Sequence, residues 1–375
     1  MESNTENDQG YANYRSVDQA GKHQSTDFAG QAKSAANKVN DTFVKAVGIE
    51  KLEGFSLKAL FSDVFKKHPE EEVDRSFMCG TPETTPDIRD VDSSWPRPWI
   101  FMRALIASVV IYWALHSGYR ETNNLFLLPS MMFVGAFAVP ISALMFFIES
   151  NVRRNISLYQ IFRLLLFGGV AGVVWASLTW KFVGDANNNY VTAILAGLIE
   201  EPVKLAALWK CRSLLKHRYV HNGLLVGAAL GAGFAAFESM GYAFVSLLKH
   251  GEMKMESVIL IRGVLAPLGH IIWTAIVCAS LWRVKGDSQF RFGMFFDKRF
   301  LRLAALPVVL HILWDLPSIP VVDNVPLLRY PILGLIGWIA VLSLLQEGLK
   351  EIRREKLAVI RDNDESVETS TTNED

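Results

Sequence analysis

The stretch LAGLIEEPVKLAALW, residues 195–209, decides the fold. Its flanks are apolar, and its centre carries Glu200, Glu201 and Lys204. Extended back to Asn189, the run is long enough for one helix to cross a bilayer, which takes about 20 residues. Ionisable groups at that depth are costly in lipid. They face the interior of a helix bundle and mark a functional site by default.

The surrounding sequence repeats the apolar pattern. The chain has 375 residues, half of them hydrophobic, with zero formal net charge. That balance gives no electrostatic footprint for nucleic acid, so no nucleic-acid partner is expected. The chain is polar before Trp95, and from Pro98 to about Leu345 it is a succession of apolar runs. They read as eight spans: 99–116, 125–148, 161–182, 189–209, 222–248, 256–282, 303–320 and 328–346. None alternates like a barrel strand, so each is expected to be a helix. Pro307, Pro317 and Pro320 interrupt the seventh.

Loop charges orient the spans. One set of loops carries Arg153, Arg154, Lys210, Arg212, Lys216, Arg218, Arg283, Lys285, Arg291, Lys298, Arg299 and Arg302, whereas the opposite set carries Arg120, Lys249 and Lys254. Cytoplasmic loops are the Lys- and Arg-rich ones, which places both termini in the cytoplasm. The expected fold is therefore an all-α polytopic membrane protein of about eight transmembrane helices, with the lipid bilayer as a partner.

The expected division is a cytoplasmic region over 1–97, a membrane domain over 98–347 and a cytoplasmic tail over 348–375. Residues 1–40 are rich in Asn, Gln, Ser and Asp, a composition expected to be disordered. The first ten residues lack the basic start and apolar core of a cleavable signal peptide. Around 56–67, Leu57, Leu60, Phe61, Val64 and Phe65 share a helical face beside Lys58, Lys66 and Lys67. This short basic amphipathic helix suits either an anionic membrane surface or the protein's own cytoplasmic face. Residues 80–97 read as a linker. Cys79, Cys211 and Cys278 lie far apart, with no pairing that suggests disulfides or a zinc ribbon.

Four consecutive spans carry buried ionisable groups: Glu200, Glu201 and Lys204; Glu238; Arg262 and His270; His311 and Asp315. At about 1.5 Å per helical residue, Glu200, Glu238 and His270 lie roughly 15 Å from the outer ends of their helices, with His311 somewhat nearer the outside. Glu200 and Lys204 are four apart, as are His311 and Asp315, so each pair can meet on one helical face. Gly223, Gly227 and Gly231 follow the same spacing and let helix backbones approach closely. A carboxylate and an imidazole can together deprotonate water and stabilise an oxyanion. The same groups could instead hold Zn²⁺ through Glu238, His270 and His311, leaving one position for water. Both arrangements hydrolyse bonds without a serine or cysteine nucleophile. Glu200, Glu201, Glu238 and His311 are expected to line one cavity, open laterally or outward.

EEPVK over 200–204, the FxxxE from Phe234 to Glu238 and the HxxxD from His311 to Asp315 resemble the motif set of PrsW-type intramembrane proteases. Those sit within the wider superfamily of CAAX-processing and bacteriocin-processing membrane proteases. The resemblance spans about residues 160–345 and implies hydrolysis of peptide bonds in a single-span membrane protein, such as an anti-sigma factor, at a bacterial plasma membrane. By the same resemblance Glu200 or Glu201 activates water, Lys204 is its electrostatic partner, and Glu238 and His311 belong to the remaining shell, to which depth adds His270 and Arg262. Ser239 stands where many relatives have Asn, and EExxK with FxxxE differs from the EExxxR and FxxxH of prenyl endopeptidases, which disfavours a prenylated substrate. Two other readings stay open: an ion- or proton-coupled transporter, and an inactive scaffold locked by buried polar pairs.

Overall fold

The computed structural model describes residues 37–183, 189–207, 214–317 and 328–371. Residues 1–36, where most of the expected disorder falls, lie outside this description, as do Trp209, Lys210, Cys211, Arg212 and the loops 184–188 and 321–327. Residues up to Lys51 form one compact unit and those from Leu52 another. In the first, residues 37–47 are helical, and Lys51 Nζ lies 3.1 Å from Asp41 Oδ1.

In the second unit every described element of regular structure is helical. Helix α1 runs Ile100–Thr122 and α2 Leu127–Ser150. Helix α3 comprises Leu158–Arg163, a π-helical turn Leu164–Gly168 and Gly169–Val183. Then follow α4 (Asn189–Ala207), α5 (Val220–His250), α6 (Glu252–Leu265), α7 (His270–Lys285), α8 (Lys298–Asp315) and α9 (Arg329–Thr371).

The boundaries have local causes. Helix α1 starts where Glu149, at the end of α2, accepts the backbone N–H groups of Trp99, Ile100 and Phe101 at 2.8–2.9 Å. It thereby satisfies donors that a helix start leaves orphaned. Ser157 and Gln160 form a reciprocal capping box at the start of α3. Gly251, at φ +81°, separates α5 from α6 in a conformation that glycine adopts without strain. Helix α8 stops at Asp315 because Pro317 holds Leu316 extended.

Six helical stretches are long and apolar enough to cross a membrane: Ile100–Thr122, Leu127–Ser150, Leu158–Lys181, Val220–His250, Glu252–Lys285 and Arg329–Asn363. The protein is thus an integral membrane protein. Two further spans were expected. Both segments are helical, but α4 contains Glu200, Glu201 and Lys204, and α8 contains Lys298, Arg299, Arg302 and Asp315. Composition alone does not mark them as crossing.

The sixth expected span is a broken helix. A 3-10 turn, Ala266–Leu268, and then Gly269 divide α6 from α7. The last span continues into one helix that reaches Thr371, so part of the expected tail is packed structure. Its Ile352 is buried with Ile88, Val91 and Tyr219, while Glu351 accepts from the Val220 backbone at 2.8 Å. His221 is buried at the start of α5.

Helix α5 is the central element, buried along most of its first half. Its glycines set the distance to α7. A Cβ on Gly227 would stand 2.3 Å from the Thr274 carbonyl oxygen, and one on Gly231 2.4 Å from that of His270. On α4, a Cβ on Gly197 would stand 2.9 Å from the Val308 carbonyl oxygen of α8. These close approaches bring the ionisable side chains together. Gly231→Ala forces α7 away and is expected to lower stability by about 1–3 kcal/mol. Thermal unfolding of the purified protein in detergent checks this: a variant with unchanged midpoint would show that the contact is not tight.

Candidate active site

Helices α4, α5, α7 and α8 bring their ionisable side chains to one place, joined by Arg262 from the last turn of α6. Lys204 Nζ donates to Glu201 Oε1 at 2.7 Å and lies 3.8 Å from Glu200 Oε2. The shorter pairing is the i,i+3 one. Positions three and four apart share a helical face, and Glu201 is also engaged by His311 Nδ1 at 3.1 Å. Lys204 is 1% exposed and Glu201 2%. Phe234 closes the far side of the lysine, its ring centroid 4.2 Å from Nζ.

His270, the first residue of α7, is held at both nitrogens. Nδ1 lies 2.9 Å from Lys204 Nζ, and Nε2 lies 3.1 Å from Glu238 Oε2. Arg262 donates to the same Glu238 oxygen and, at 2.9 Å, to Ser239 Oγ. The hydroxyl at 239 thus anchors the arginine.

His311 Nε2 lies 3.3 Å from Asp315 Oδ2 and 3.7 Å from Glu200 Oε2. Trp273 stacks on this imidazole, centroids 4.6 Å apart, and His270 meets it edge-on at 5.0 Å. Trp273 is therefore a structural part of the site that motif reading overlooked, while Phe234 is the aromatic residue of the FxxxE motif. The signal for Trp273 was spacing: it follows His270 by three on α7.

A cavity of about 630 Å³ opens onto this cluster. Glu200, Glu238, His270, His311 and Asp315 line it, with Arg262. Glu201 and Lys204 are not among its lining residues and stand behind its wall. The expectation that both adjacent glutamates face the cavity therefore separates into one that does and one that supports it.

The sequence of PrsW family intramembrane metalloproteases matches this chain over residues 154–345, just over half its length. The chain belongs to the PrsW family. No curated protein and no solved structure matches it. The matched region contains every site residue named above. The PrsW family is one of intramembrane metalloproteases, so the donor set can be tested for a metal.

Ligand atoms of Glu200, His270 and His311 all lie within 4.8 Å of one another. This differs from the expected trio at one residue: Glu200 takes the place of Glu238, which Arg262 and His270 already hold. The trio fits a catalytic zinc site, where three protein ligands leave a position for water. Charge balance points the same way. His311 Nδ1 lies beside Glu201, so Nε2 is the nitrogen that faces the carboxylate oxygens of Glu200 and Asp315. Glu200 Oε2 is buried without a hydrogen-bond partner. Carboxylate oxygens of Glu200 and Asp315 meet there, and a cation would satisfy both.

Proposed function

We propose that this PrsW protein hydrolyses peptide bonds of a single-span membrane protein at the cavity between α4, α5, α7 and α8. The observation that carries the reading is the buried Glu200 oxygen that accepts no hydrogen bond, beside the imidazoles of His270 and His311 at a cavity wall. Glu200, His270 and His311 would hold a metal of the zinc class. When bound, such an ion polarises the scissile carbonyl and lowers the pKa of water.

The other residues prepare the ligands. Glu201, receiving the Nδ1 proton of His311, directs Nε2 of that ring to the cavity, as carboxylates behind ligating histidines do. Lys204 donates to Nδ1 of His270, so Nε2 carries the ring proton toward Glu238 and would have to release it before this ring could hold an ion. Arg262 keeps Glu238 in place when this happens. The Glu238 oxygen that Arg262 does not hold takes a proton from water and passes it to the amine of the leaving peptide. Asp315, at the rim, steadies His311.

The cavity is lined by Trp180 near the end of α3, Asn189 at the start of α4, Trp314 near the end of α8 and Tyr330 at the start of α9. Loop charges assign these helix ends to the outer side, which supports an outward opening, both termini in the cytoplasm and crossings by α4 and α8. That topology makes eight spans. It suits a substrate cut near its outer membrane boundary, such as an anti-sigma factor of a bacterial plasma membrane. The motifs also support a place in the superfamily of CAAX-processing proteases. A transporter would share one feature, the broken α6–α7 helix, and the same experiment separates the two.

Purified protein in proteoliposomes, offered a panel of single-span substrates, is expected to cleave at least one of them. A strong chelator abolishes cleavage and added Zn²⁺ restores it. Full activity in metal-free protein would replace the metal reading with water activated by glutamate alone. Ion flux without cleavage would favour the transporter.

A further inference from the structure

Residues 57–67 precede α1 and belong to no part of the cluster just described. Leu57–Leu60 is one helical turn, and hydrogen bonds from Phe61, Val64 and Lys66 to Leu57, Phe61 and Asp63 continue the coil. This coil divides its apolar residues between two faces. Leu60 and Val64 are buried, Val64 against Trp99 and Ile100. Leu57, Phe61 and Phe65, spaced by four, are 61%, 37% and 90% exposed. One face therefore docks on the protein, and the other faces outward.

The outward face continues a lipid-facing surface. The Phe61 ring lies 5.9 Å from that of Phe101, in the first turn of α1. Arg103, one turn on, donates to the Lys66 carbonyl at 2.7 Å and covers the Trp99 ring at 4.3 Å. Beyond it α1 leaves Ile106, Val109, Val110 and Trp113 exposed, as a bilayer-spanning helix does. Phe65 thus stands at the level where the bilayer surface meets α1. Lys58, Lys66, Lys67, Arg97 and Arg103 are exposed at the same level. Asp63 is the acid among them and pairs with Lys66 at 2.6 Å. The acidic helix Glu70–Phe77 that follows is tied instead to the α2–α3 loop, through Arg154 and the Arg75 carbonyl.

We propose that this coil is a membrane-surface clamp: Leu57, Phe61 and Phe65 enter the headgroup boundary, and Lys58, Lys66 and Lys67 bind anionic phospholipid headgroups. Apolar side chains in the boundary with lysines above them are the arrangement of interfacial helices. The clamp rests on the protein being embedded in a bilayer and is independent of its proteolytic reading.

The test uses the full chain with 4-trifluoromethylphenylalanine at position 65, in vesicles of phosphatidylcholine with phosphatidylglycerol. Fluorine relaxation is read with a nitroxide-labelled lipid and, separately, with a water-soluble gadolinium chelate. The lipid label is expected to dominate. Each lysine neutralised should weaken surface binding by about fivefold, the attraction of one lysine to an anionic leaflet. The triple variant Lys58→Gln, Lys66→Gln, Lys67→Gln, and the native protein in pure phosphatidylcholine, should both shift relaxation toward the chelate. Dominance of the chelate in anionic vesicles overturns the clamp. Equal lipid relaxation in all three samples overturns the role of the headgroups. The lysines are exposed, so the triple variant keeps its fold, which an unchanged unfolding midpoint verifies.

Discussion

Glu200→Gln is expected to slow cleavage by about 10³-fold, roughly 4 kcal/mol of transition-state stabilisation, while Glu201→Gln slows it by about 10–100-fold. The asymmetry comes from position. Glu200 lines the cavity and ends in an oxygen without a hydrogen-bond partner. Glutamine keeps the shape and replaces the charge, so neither a cation nor a proton is held there. Glu201 lies behind the wall and acts through His311 and Lys204. Its amide still accepts from one of them and leaves the ring partly oriented. Single-turnover cleavage, with metal content measured on the same preparations, separates the two. Metal should be lost from Glu200→Gln and retained, more weakly, by Glu201→Gln. A larger defect at Glu201 would show that Glu201, and not Glu200, is the glutamate on which the site depends.

Lys204→Met is expected to be the most destabilising single substitution in the site, costing about 3–5 kcal/mol. The methionine fills much of the same volume but removes the cation from a fully buried set. Glu201, 2% exposed, then keeps a charge whose remaining neighbour is His311. Removing the acid as well, in Glu201→Gln with Lys204→Met, should return most of the lost stability without restoring activity, since His311 and His270 both lose their orientation. Thermal midpoints in detergent measure this. Equal midpoints for the single variant and the native protein would mean that the buried pair contributes no net stability.

Much of this site was legible in the chain. Helical periodicity places His311 and Asp315 on one face, and equal depth in four neighbouring spans gathers Glu200, Glu238, His270 and His311 into a layer. What the sequence could not decide was direction. Glu200 and Glu201 differ by one residue, and only the packing of α8 against α4 through Gly197 selects which faces the cavity. The exchange of Glu238 for Glu200 in the candidate metal trio has the same origin. Arg262 occupies Glu238 because a helix break places α6 beside α5, and apolar periodicity runs through that break unmarked. Around 56–67 the pattern suggested one amphipathic face, whereas the coil buries alternate members of it. Lys204 with Glu201 was missed as the close pair because i,i+3 and i,i+4 spacings are nearly equivalent until a third group, here His311, chooses between them.

The charges that make α4 useful also govern how the chain is made. A segment with Glu200, Glu201 and Lys204 at its centre partitions poorly from the translocon by itself, since acidic and basic residues at mid-membrane each cost about 2.5–3.5 kcal/mol on the insertion scale. Helix α5, rich in glycine and alanine, carries no such load before Glu238. On the proposed eight-span topology, helices α4 and α8 gain a stable membrane position only as α5 and α7 supply partners. Assembly of the reactive cluster and completion of membrane integration become one event, and a chain that fails to form the cluster is left with segments the bilayer rejects and quality control can recognise.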